Sequence, residues 1–318
     1  MSAFSKKMTI LVTGGTGMVG SAINEISNDH SNHDFVFISS KDYDLTNMES
    51  TNNMFLRHNP DFIIHLAACV GGLFKNMNQK VDMFEKNLLI NYNVVKCCYL
   101  HKVKKMIACL STCIFPDKIT YPIDEGMLHD GPPHNSNDAY AYAKRMLEVQ
   151  CRLYRENHGC DFVCVIPTNI YGKNDNFSLE DGHVLPALIN KCHLAKKTGS
   201  DFIVKGTGKP LRQFIYSTDL AKLIMNILTS DKKIDNITLS VSEDDEVSIE
   251  TVARNIARRF DYEHRIVFDS SYSDGQYKKT VSNEKILKLC PNFEFTKIED
   301  GIKCTVEWFM ENLDKVRS

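Results

Sequence analysis

The chain has 318 residues, of which 43% are hydrophobic and 25% charged, and its formal net charge at pH 7 is −2. These values are ordinary for a globular protein of one large domain or two coupled ones. The small net charge excludes a general attraction to nucleic acid or anionic membranes. No stretch approaches the roughly 18 apolar residues that span a bilayer, and the first residues lack the apolar core of a signal peptide.

The 11 cysteines are irregularly spaced and form no C-x-x-C pair. This spacing argues against a zinc site or a disulfide framework. We therefore expect reduced thiols, no bound metal and a cytoplasmic location.

Short apolar runs alternate with helical patterns in the first half of the chain. The runs predict strands at Met8–Val12, Phe35–Ile38, Phe62–Leu66, Met106–Leu110 and Phe162–Ile166. Apolar residues at three- and four-residue spacing predict helices at Met18–Ile26, Met83–Leu100 and Tyr140–Tyr154. Strands that are apolar on both faces and alternate with helices indicate an α/β fold with a doubly wound parallel sheet, the Rossmann arrangement.

The pattern changes after Pro167. A polar loop leads to a predicted helix at Leu185–Lys197, and we expect the strand Phe214–Tyr216 and the helix Thr218–Leu228 to return to the main sheet. The remaining predicted elements are the strands Ile237–Val241 and Arg265–Phe268 and the helices Ser248–Phe260, Ser282–Leu289 and Lys297–Met310. The predicted division is a dinucleotide-binding domain of residues 1–172 with 212–240, and a smaller C-terminal α/β substrate-binding lobe of residues 173–211 and 241–318.

A glycine-rich loop, Thr13–Gly20, follows the first strand and opens the first helix. Gly14 suits a tight turn, Gly17 lets a pyrophosphate approach the backbone beside Met18, and Gly20 lets the helix lie close to the sheet. The N–H groups and dipole of this helix N-terminus favour phosphate. A tight turn without a ligand is the alternative, but the strand before the loop and the helix after it favour a dinucleotide.

The end of the second strand indicates which dinucleotide binds. A free ribose 2′-hydroxyl usually meets an acid there, whereas a 2′-phosphate meets hydroxyls and a base. Ser39, Ser40 and Lys41 precede the first acid, Asp42, which favours NADP(H). A solvated turn with a surface lysine is the alternative.

Two further segments are expected to line the cofactor. Asp44 and Leu45 should lie near the adenine. Ala67 and Ala68, after the third strand, should lie near the ribose, where their small side chains allow close approach, and Leu66 at the end of that strand is expected beside them. A plain packing role explains these small residues equally well.

Ser111, Tyr140 and Lys144 form a proton-handling set for carbonyl–alcohol redox chemistry. Tyr140 and Lys144 lie one helical turn apart, and we expect the ammonium to lower the pKa of the phenol from its reference value of about 10. Ser111, at the end of the fourth strand, could hydrogen-bond the carbonyl that receives a hydride. The Y-x-x-x-K spacing alone is weak evidence, but its order after a glycine loop and a strand-end serine is specific.

Cys113 is a second acid/base group that hydride transfer alone does not need. A thiolate near a cation could take a proton from the carbon beside a ketone, whereas most free cysteines are small buried residues. Position alone does not decide between these roles. His183 has a reference pKa near 6.5 that suits a proton donor, although a single histidine before a helix is more often a cap or a surface residue.

Six short segments carry a family resemblance: Leu66–Gly72, Ser111–Pro116, Pro167–Gly172, Asp175–Phe177, Gly182–Pro186 and Arg212–Phe214. Together with the glycine loop and Y-x-x-x-K, they resemble the extended short-chain dehydrogenase/reductase family from about Met8 to the C-terminus. Within that family the chain is similar to the enzymes that epimerise C3 and C5 of GDP-4-keto-6-deoxy-D-mannose and reduce C4 with NADPH. The Ser-x-Cys and Gly-His-Val segments are specific to those enzymes.

The resemblance implies a role for each candidate. Cys113 is the base and His183 the acid in epimerising C3 and C5, whose protons the 4-keto group makes acidic. Tyr140, with Lys144 and Ser111, then protonates the C4 oxygen as NADPH delivers hydride. The residues expected beside the cofactor also include Pro167, Asn169 and His183.

The resemblance implies substrate contacts for Asn169, Lys191, Lys205, Arg212 and Lys279. Arg212 and Lys279 are expected to clamp the pyrophosphate of GDP; on charge alone they could be solvated surface residues. Lys191 stands where an arginine is often found and lacks its bidentate fork. Lys205 stands where a tryptophan is common, and Lys173 and Asn174 replace the usual Pro-His.

Two other interpretations remain at this point. A nucleotide-sugar 4-epimerase or 4,6-dehydratase would keep its nicotinamide bound and return the hydride, but a dehydratase would normally show an Asp-Glu pair where Thr112 and Cys113 stand. A non-catalytic NADP-binding regulator would have no need of the intact Ser111, Tyr140 and Lys144. Net consumption of NADPH with the 4-keto sugar would separate the first interpretation from both.

The amphipathic stripes of the predicted helices Met83–Leu100 and Tyr140–Tyr154 could pack inside the chain or against a second copy. Relatives usually form dimers through these helices. The resemblance therefore implies a homodimer with a four-helix interface.

Overall fold

The computed structural model describes residues 7–71, 77–274 and 276–316; Gly72, the last residue of one family segment, lies outside these ranges. The strands are β1 (Met8–Thr13), β2 (His33–Ile38), β3 (Phe62–His65), β4 (Lys105–Cys109), β5 (Phe162–Pro167), β6 (Asn169–Tyr171), β7 (Phe202–Lys205), β8 (Leu211–Arg212), β9 (Phe214–Tyr216), β10 (Asn236–Leu239), β11 (Val247–Ser248) and β12 (Ile266–Asp269). The helices are α1 (Met18–Ile26), α2 (Met48–His58), α3 (Lys80–Leu100), α4 (Asp138–His158), α5 (Val184–Thr198), α6 (Ser217–Thr229), α7 (Ile249–Arg259), α8 (Glu284–Leu289) and α9 (Ile298–Glu311).

Six strands form one parallel sheet in the order β2-β1-β3-β4-β5-β10. Its faces are both apolar, so helices cover both. Leu11 of β1 packs in a cluster with α2, α3 and α4, whereas Ile10 and Val12 pack on the opposite face with α1 and α6. The predicted doubly wound fold is confirmed, and its strand order reverses between β1 and β3, where open α/β sheets bind ligands.

The sequence analysis missed α2. Asn47 caps this helix by accepting a hydrogen bond from the N–H of Ser50 at 2.9 Å. Thr51, Met54 and Phe55 face the core and are fully buried. The capping asparagine and this apolar spacing were the signals that could have revealed the helix.

The predicted return of Phe214–Tyr216 to the main sheet is wrong. This strand, β9, pairs in parallel with β6 in a separate two-stranded sheet. Ile215 packs in the core with α1 and α6, while Phe214 and Tyr216 pack in a third cluster with α5, α7 and α9. A run that is buried on both sides does not indicate which sheet it joins. The elements that follow, α6 and β10, do return to the main sheet.

The third cluster forms the core of the C-terminal part of the chain. Beside it, β7 pairs in parallel with β12, and β8 pairs in antiparallel with β11. Across the described ranges, no helix is long and apolar enough to cross a membrane. Within the same ranges, no group of three or more His, Cys, Asp or Glu side chains could hold a metal ion.

Candidate active site

The glycine loop leaves a helix N-terminus uncapped. Gly14 has φ = +70°, in the left-handed region that favours glycine, and a Cβ there would lie 2.8 Å from the nitrogen of Ala67. Gly17 directly precedes α1 with extended backbone, and no side chain caps the helix. The first-turn N–H groups therefore suit the pyrophosphate of a dinucleotide.

Gly20 packs differently from expectation. A Cβ at Gly20 would lie 2.6 Å from the backbone of Gly15, so this glycine lets α1 close on the loop rather than on the sheet. Gly15 is the residue that meets the sheet, because a Cβ there would lie 2.7 Å from Cβ of Phe37 in β2. The sequence analysis did not single out Gly15, although it stands in the same loop.

The turn after β2 contains the predicted 2′-phosphate contacts. The hydroxyl of Ser39 donates to a carboxylate oxygen of Asp42 at 2.6 Å, and the Ser39 N–H donates to the same oxygen at 2.8 Å. These bonds lower the pKa of Asp42. Ser40 and Lys41 are exposed beside them. The Ser39 hydroxyl is thus already bound, which leaves Ser40 and Lys41 as the accessible groups.

The predicted adenosine segments are held by local hydrogen bonds. The carboxylate of Asp44 accepts from the N–H and hydroxyl of Thr46 at 2.9 and 2.7 Å, which lowers its pKa. The N–H of Ala67 donates to the hydroxyl oxygen of Thr13 at 3.3 Å, which places the end of β3 beside the glycine loop. The half-buried residues at this edge are Leu66, Ala67 and Ala68.

Ser111 and Cys113 form a tight turn at the end of β4. The hydroxyl oxygen of Ser111 accepts from the N–H of Cys113 at 3.4 Å, and Arg145 donates to the carbonyl of Ile114 at 2.6 Å, which joins the turn to α4. Burial raises the pKa of the half-buried Cys113 thiol above its ordinary value. The Ser111 hydrogen bond and the nearby ammonium of Lys279 oppose that rise.

Tyr140 and Lys144 lie on α4 at the same site. The Lys144 ammonium is 5.8 Å from the centroid of the Tyr140 ring and donates to the carbonyl of Cys109 at 2.7 Å. Burial, with a smaller contribution from the Cys113 thiol, raises the pKa of the Tyr140 phenol well above its ordinary value. The expectation that this pKa is lowered is therefore wrong: burial raises it, and the Lys144 ammonium donates to a main-chain carbonyl.

Two cations of the predicted substrate site meet near the thiol. Arg212 donates to the carbonyl of Gln276 at 2.8 Å. Lys279 interacts electrostatically with Cys113, Arg212 and Asp117. Burial lowers the pKa of both cations. The structure thus joins the predicted phosphate clamp to the predicted epimerisation base.

The remaining candidates lie farther along the chain. His183 directly precedes α5, and surrounding protein lowers its pKa although the residue reaches solvent. Asn169, at the start of β6, donates its amide to the carbonyl of Gln213 at 2.8 Å, while Pro167 is buried at the end of β5. Within the described ranges, no hydrogen bond or ion pair joins His183 to Cys113, so its role stays a prediction.

Lys191 and Lys205 form a second pair of cations. Burial lowers the pKa of Lys191, and the charge of Lys205 adds to the shift. The Lys205 ammonium lies 4.7 Å from the centroid of the Tyr272 ring. An aromatic side chain therefore stands beside Lys205, a neighbour that the sequence analysis missed.

Residues 10–240 match the model of the NAD dependent epimerase/dehydratase family. The chain belongs to this family. It is 51% identical to a GDP-L-fucose synthase of Dictyostelium discoideum, over 100% of both chains. It is 46% identical to a probable GDP-L-fucose synthase of Drosophila melanogaster, over 97% of this chain and 99% of that protein.

A solved structure supports the same relationship. The crystal structure of a GDP-L-fucose synthetase from Naegleria fowleri bound to NADP has a TM-score of 0.94 and 50% identity, covering 99% of this chain and 96% of that chain. The resemblance predicted from the sequence is therefore confirmed at the level of the GDP-L-fucose synthase branch of the family.

Gln213 is a buried residue of this epimerase/dehydratase site that the sequence analysis quoted in a motif without assigning a role. Its amide donates to the carbonyls of Val241 and Val281 at 2.9 and 3.1 Å and accepts from the N–H of Val281 at 2.8 Å. These bonds hold the segment that carries Lys279 against Arg212. The sequence signal that could have revealed this role was a single amide side chain between Arg212 and the apolar run that begins at Phe214.

Proposed function

We propose that this chain converts GDP-4-keto-6-deoxy-D-mannose to GDP-L-fucose by epimerising C3 and C5 and then reducing C4 at the expense of NADPH. The observation that carries the proposal is the pairing of the Cys113 thiol with Tyr140 and Lys144 in one site, in a chain related over its full length to GDP-L-fucose synthases. A simple reductase has no need of the thiol.

The uncapped start of α1 and the glycines before it fit NADP(H), which when bound supplies the hydride for C4. The N–H groups of Met18 and Gly20 would hold the pyrophosphate, beside the turn in which the Gly17 N–H donates to the Gly14 carbonyl at 3.0 Å. Lys41 supplies a cation for the 2′-phosphate. The other proposed contacts are Ser39, Ser40, Asp44, Leu45, Leu66, Ala67, Ala68, Tyr140, Lys144, Pro167, Asn169 and His183.

Cys113 and His183 carry the epimerisation in this proposal. The 4-keto group acidifies the hydrogens on C3 and C5, so a thiolate can remove them as protons. His183 returns a proton to the opposite face of each carbon, which inverts it. Lys279 near the sulfur favours the thiolate form of Cys113.

Tyr140 carries the proton for the reduction. Its raised pKa keeps the phenol protonated at neutral pH, as a proton donor requires. The proton passes to the C4 oxygen as that atom gains negative charge, while the Ser111 hydroxyl donates a hydrogen bond to the same oxygen. Lys144 offers a further cation beside the phenol.

In this proposal the GDP moiety binds two cations, Arg212 and Lys279, of which Lys279 interacts with the Cys113 thiol. Burial lowers the pKa of Arg212 and Lys279, although the charges of Glu246 and Asp117 partly oppose the two shifts. Burying cations is costly, and a diphosphate would supply further negative charge that stabilises both. The other proposed substrate contacts are Asn169, Lys191 and Lys205.

Product identification tests the proposal. The purified chain is incubated with NADPH and GDP-4-keto-6-deoxy-mannose, and the sugar is assigned by NMR. We expect GDP-L-fucose and one NADPH consumed per product molecule. Sugar interconversion without net NADPH use would instead indicate a 4-epimerase or dehydratase, and cofactor binding without turnover would indicate a regulator.

We further propose a homodimer in which α3 and α4 of two copies form a four-helix interface. Large apolar side chains are exposed on both helices, an arrangement that favours a partner surface. They are Val81, Leu89, Tyr92 and Leu100 on α3, and Tyr142, Met146 and Leu153 on α4.

We also propose a cytoplasmic location and a division into residues 1–172 with 212–240 and residues 173–211 with 241–318. All 11 cysteines are free, as expected for a reducing compartment. The separate apolar cluster around α5, α7 and α9 supports a lobe with a core of its own.

A further inference from the structure

A line of buried hydrogen bonds runs from the glycine loop to the helix that carries Tyr140 and Lys144. The Thr13 hydroxyl oxygen lies 2.8 Å from Nδ1 of His65, and Nε2 of His65 lies 3.1 Å from Oδ1 of Asn91. The Asn91 amide nitrogen then lies 3.5 Å from the carbonyl oxygen of Ala143 in α4. Thr13, His65 and Asn91 are at most 1% exposed.

The direction of each hydrogen bond follows from the chemistry of the groups. The Ala67 N–H donates to the Thr13 oxygen, so the Thr13 hydroxyl hydrogen is available to Nδ1 of His65. The ring proton of His65 is then on Nε2 and is donated to the Asn91 carbonyl oxygen, while the Asn91 amide donates to Ala143. This order needs a neutral imidazole; burial, together with the nearby Lys144 ammonium, lowers the pKa of His65 to about 3.

Both ends of the line adjoin residues of the site. Thr13 directly precedes Gly14, and Ala143 directly precedes Lys144. We propose that Thr13, His65 and Asn91 are positioning residues that fix α4 relative to the glycine loop, and thus Tyr140 and Lys144 relative to the cofactor. The inference rests on the proposed function, because it assigns these residues to the reduction step of that reaction.

The helix α3, which carries Asn91, also forms hydrogen bonds with neighbouring segments of the site. Asn87, one turn earlier on α3, accepts from the N–H of Cys69 and donates to its carbonyl, both at 2.9 Å. Asn93 donates to the carbonyl of Leu45 at 2.9 Å. Both asparagines are buried. Thus α3 holds the segments after β2 and β3, and Asn91 joins that frame to α4.

Two near-isosteric substitutions test the line. Thr13→Val and Asn91→Leu remove the hydrogen-bonding groups and keep similar volumes. We expect each to lower kcat for reduction of an already epimerised ketone about ten-fold or more and to weaken NADPH binding. Cys113 lies outside the line, so solvent deuterium entry at C3 and C5, measured with NADP⁺ bound, should change much less. Thr13→Ser keeps the hydroxyl and should restore reduction.

Thr305→Val is the matched control, because it removes a fully buried hydroxyl that donates to Gly301 at 2.7 Å within α9. It should lower the melting temperature but leave the ratio of reduction to exchange unchanged. An unchanged ratio in Thr13→Val and Asn91→Leu, or equal losses of both steps, would overturn the positioning role.

The proposed function and the positioning role fail in different ways. A wild-type chain that shows neither exchange nor reduction contradicts the function. NADPH affinity, followed by fluorescence titration without any sugar, tests the line on its own. Thr13 and Asn91 would lose the positioning role if Thr13→Val and Asn91→Leu bound NADPH as tightly as the wild type while His65→Leu bound it more weakly.

Discussion

Burial shifts the pKa values of Tyr140 and Lys144 in opposite directions, because it disfavours the charged form of each. The phenol therefore stays protonated and the ammonium becomes easier to deprotonate. At the residue scale, a protonated phenol suits the role that we propose for Tyr140, in which it releases its proton when negative charge develops on the substrate oxygen. For the thiol of Cys113, which interacts electrostatically with Tyr140, we propose the complementary task of accepting protons.

Tyr140→Phe removes the proposed donor and nothing else from the ring. We expect reduction of the 4-keto sugar to fall by about 100-fold or more, because general acid catalysis is lost. Deuterium entry at C3 and C5 should persist, since it depends on Cys113. The absorbance of NADPH measures the reduction, and NMR measures the deuterium entry. A variant that reduces the sugar normally would show that the phenol is not the donor.

The exchange step should depend steeply on pH. Burial raises the pKa of Cys113, so the reactive thiolate is the minor form at neutral pH and its fraction grows as pH rises. Deuterium entry should therefore increase about ten-fold per pH unit below that pKa. Cys113→Ser should slow exchange and remove this rise while an epimerised ketone is still reduced. A flat profile in the wild-type chain would argue against a thiolate base.

Lys41→Ala tests the choice of cofactor. The ammonium is exposed beside Ser40, where a 2′-phosphate is proposed to lie. We expect KM for NADPH to rise by more than KM for NADH, because only NADPH carries the phosphate. Steady-state kinetics with both cofactors gives the ratio, and an unchanged ratio would remove Lys41 from the phosphate site.

At the scale of elements, the central sheet could be predicted because its strands are short, apolar and separated by helical periodicity. The bounds of β1 to β5 differ from prediction by at most two residues. The weakly apolar α2 was missed, since its periodic signal comes from few residues. The partner of β9 could not be predicted, because a strand apolar on both sides suits either core.

Part of the candidate site could also be predicted from the sequence. The spacing of the glycines, of Ser111 and of Y-x-x-x-K predicts side chains at the carboxyl ends of β1 and β4 and at the start of α4. The pairing of Ser39 with Asp42 and the net rise in the Tyr140 pKa depend on packing that no linear pattern contains. The same holds for the His65–Asn91 contact, which joins residues 26 positions apart.

Gly14→Ala tests the connection between β1 and α1. Alanine at φ = +70° costs about 1–2 kcal/mol, and its Cβ would meet the Ala67 nitrogen at 2.8 Å. We expect a lower melting temperature and loss of most NADPH affinity, as measured by thermal denaturation and fluorescence titration. Gly159→Ala is the control, because φ is +66° there but no atom lies within 4 Å of the added Cβ. Equal NADPH affinity in the two variants would contradict a special role for the loop.

At the scale of the whole molecule, the outer sides of α3 and α4 are the proposed contact with a second copy. The inner side of α3 carries Asn87 and Asn91, which hold parts of the site. Self-association would therefore bury the helix pair that supports the catalytic residues.

Met146→Glu places a charge on the proposed interface. The side chain is 41% exposed, so the substitution should leave the fold intact but oppose pairing of two apolar surfaces. Sedimentation velocity should show a monomer where the wild-type chain is a dimer. Met310→Glu, at a methionine 42% exposed on α9, should remain a dimer. A dimer for both variants would place the interface elsewhere.

The three residues of β9 insert alternately into two different cores, with Ile215 on one side and Phe214 and Tyr216 on the other. Swinging one half of the molecule against the other at this point would withdraw a large apolar side chain from its packing, at a cost of about 2–5 kcal/mol. We therefore expect the connection between the two cores at β9 to be rigid and not to act as a hinge. Arg212, two residues before β9, should therefore keep its position relative to both cores, and the proposed site for a sugar nucleotide would need little rearrangement before binding.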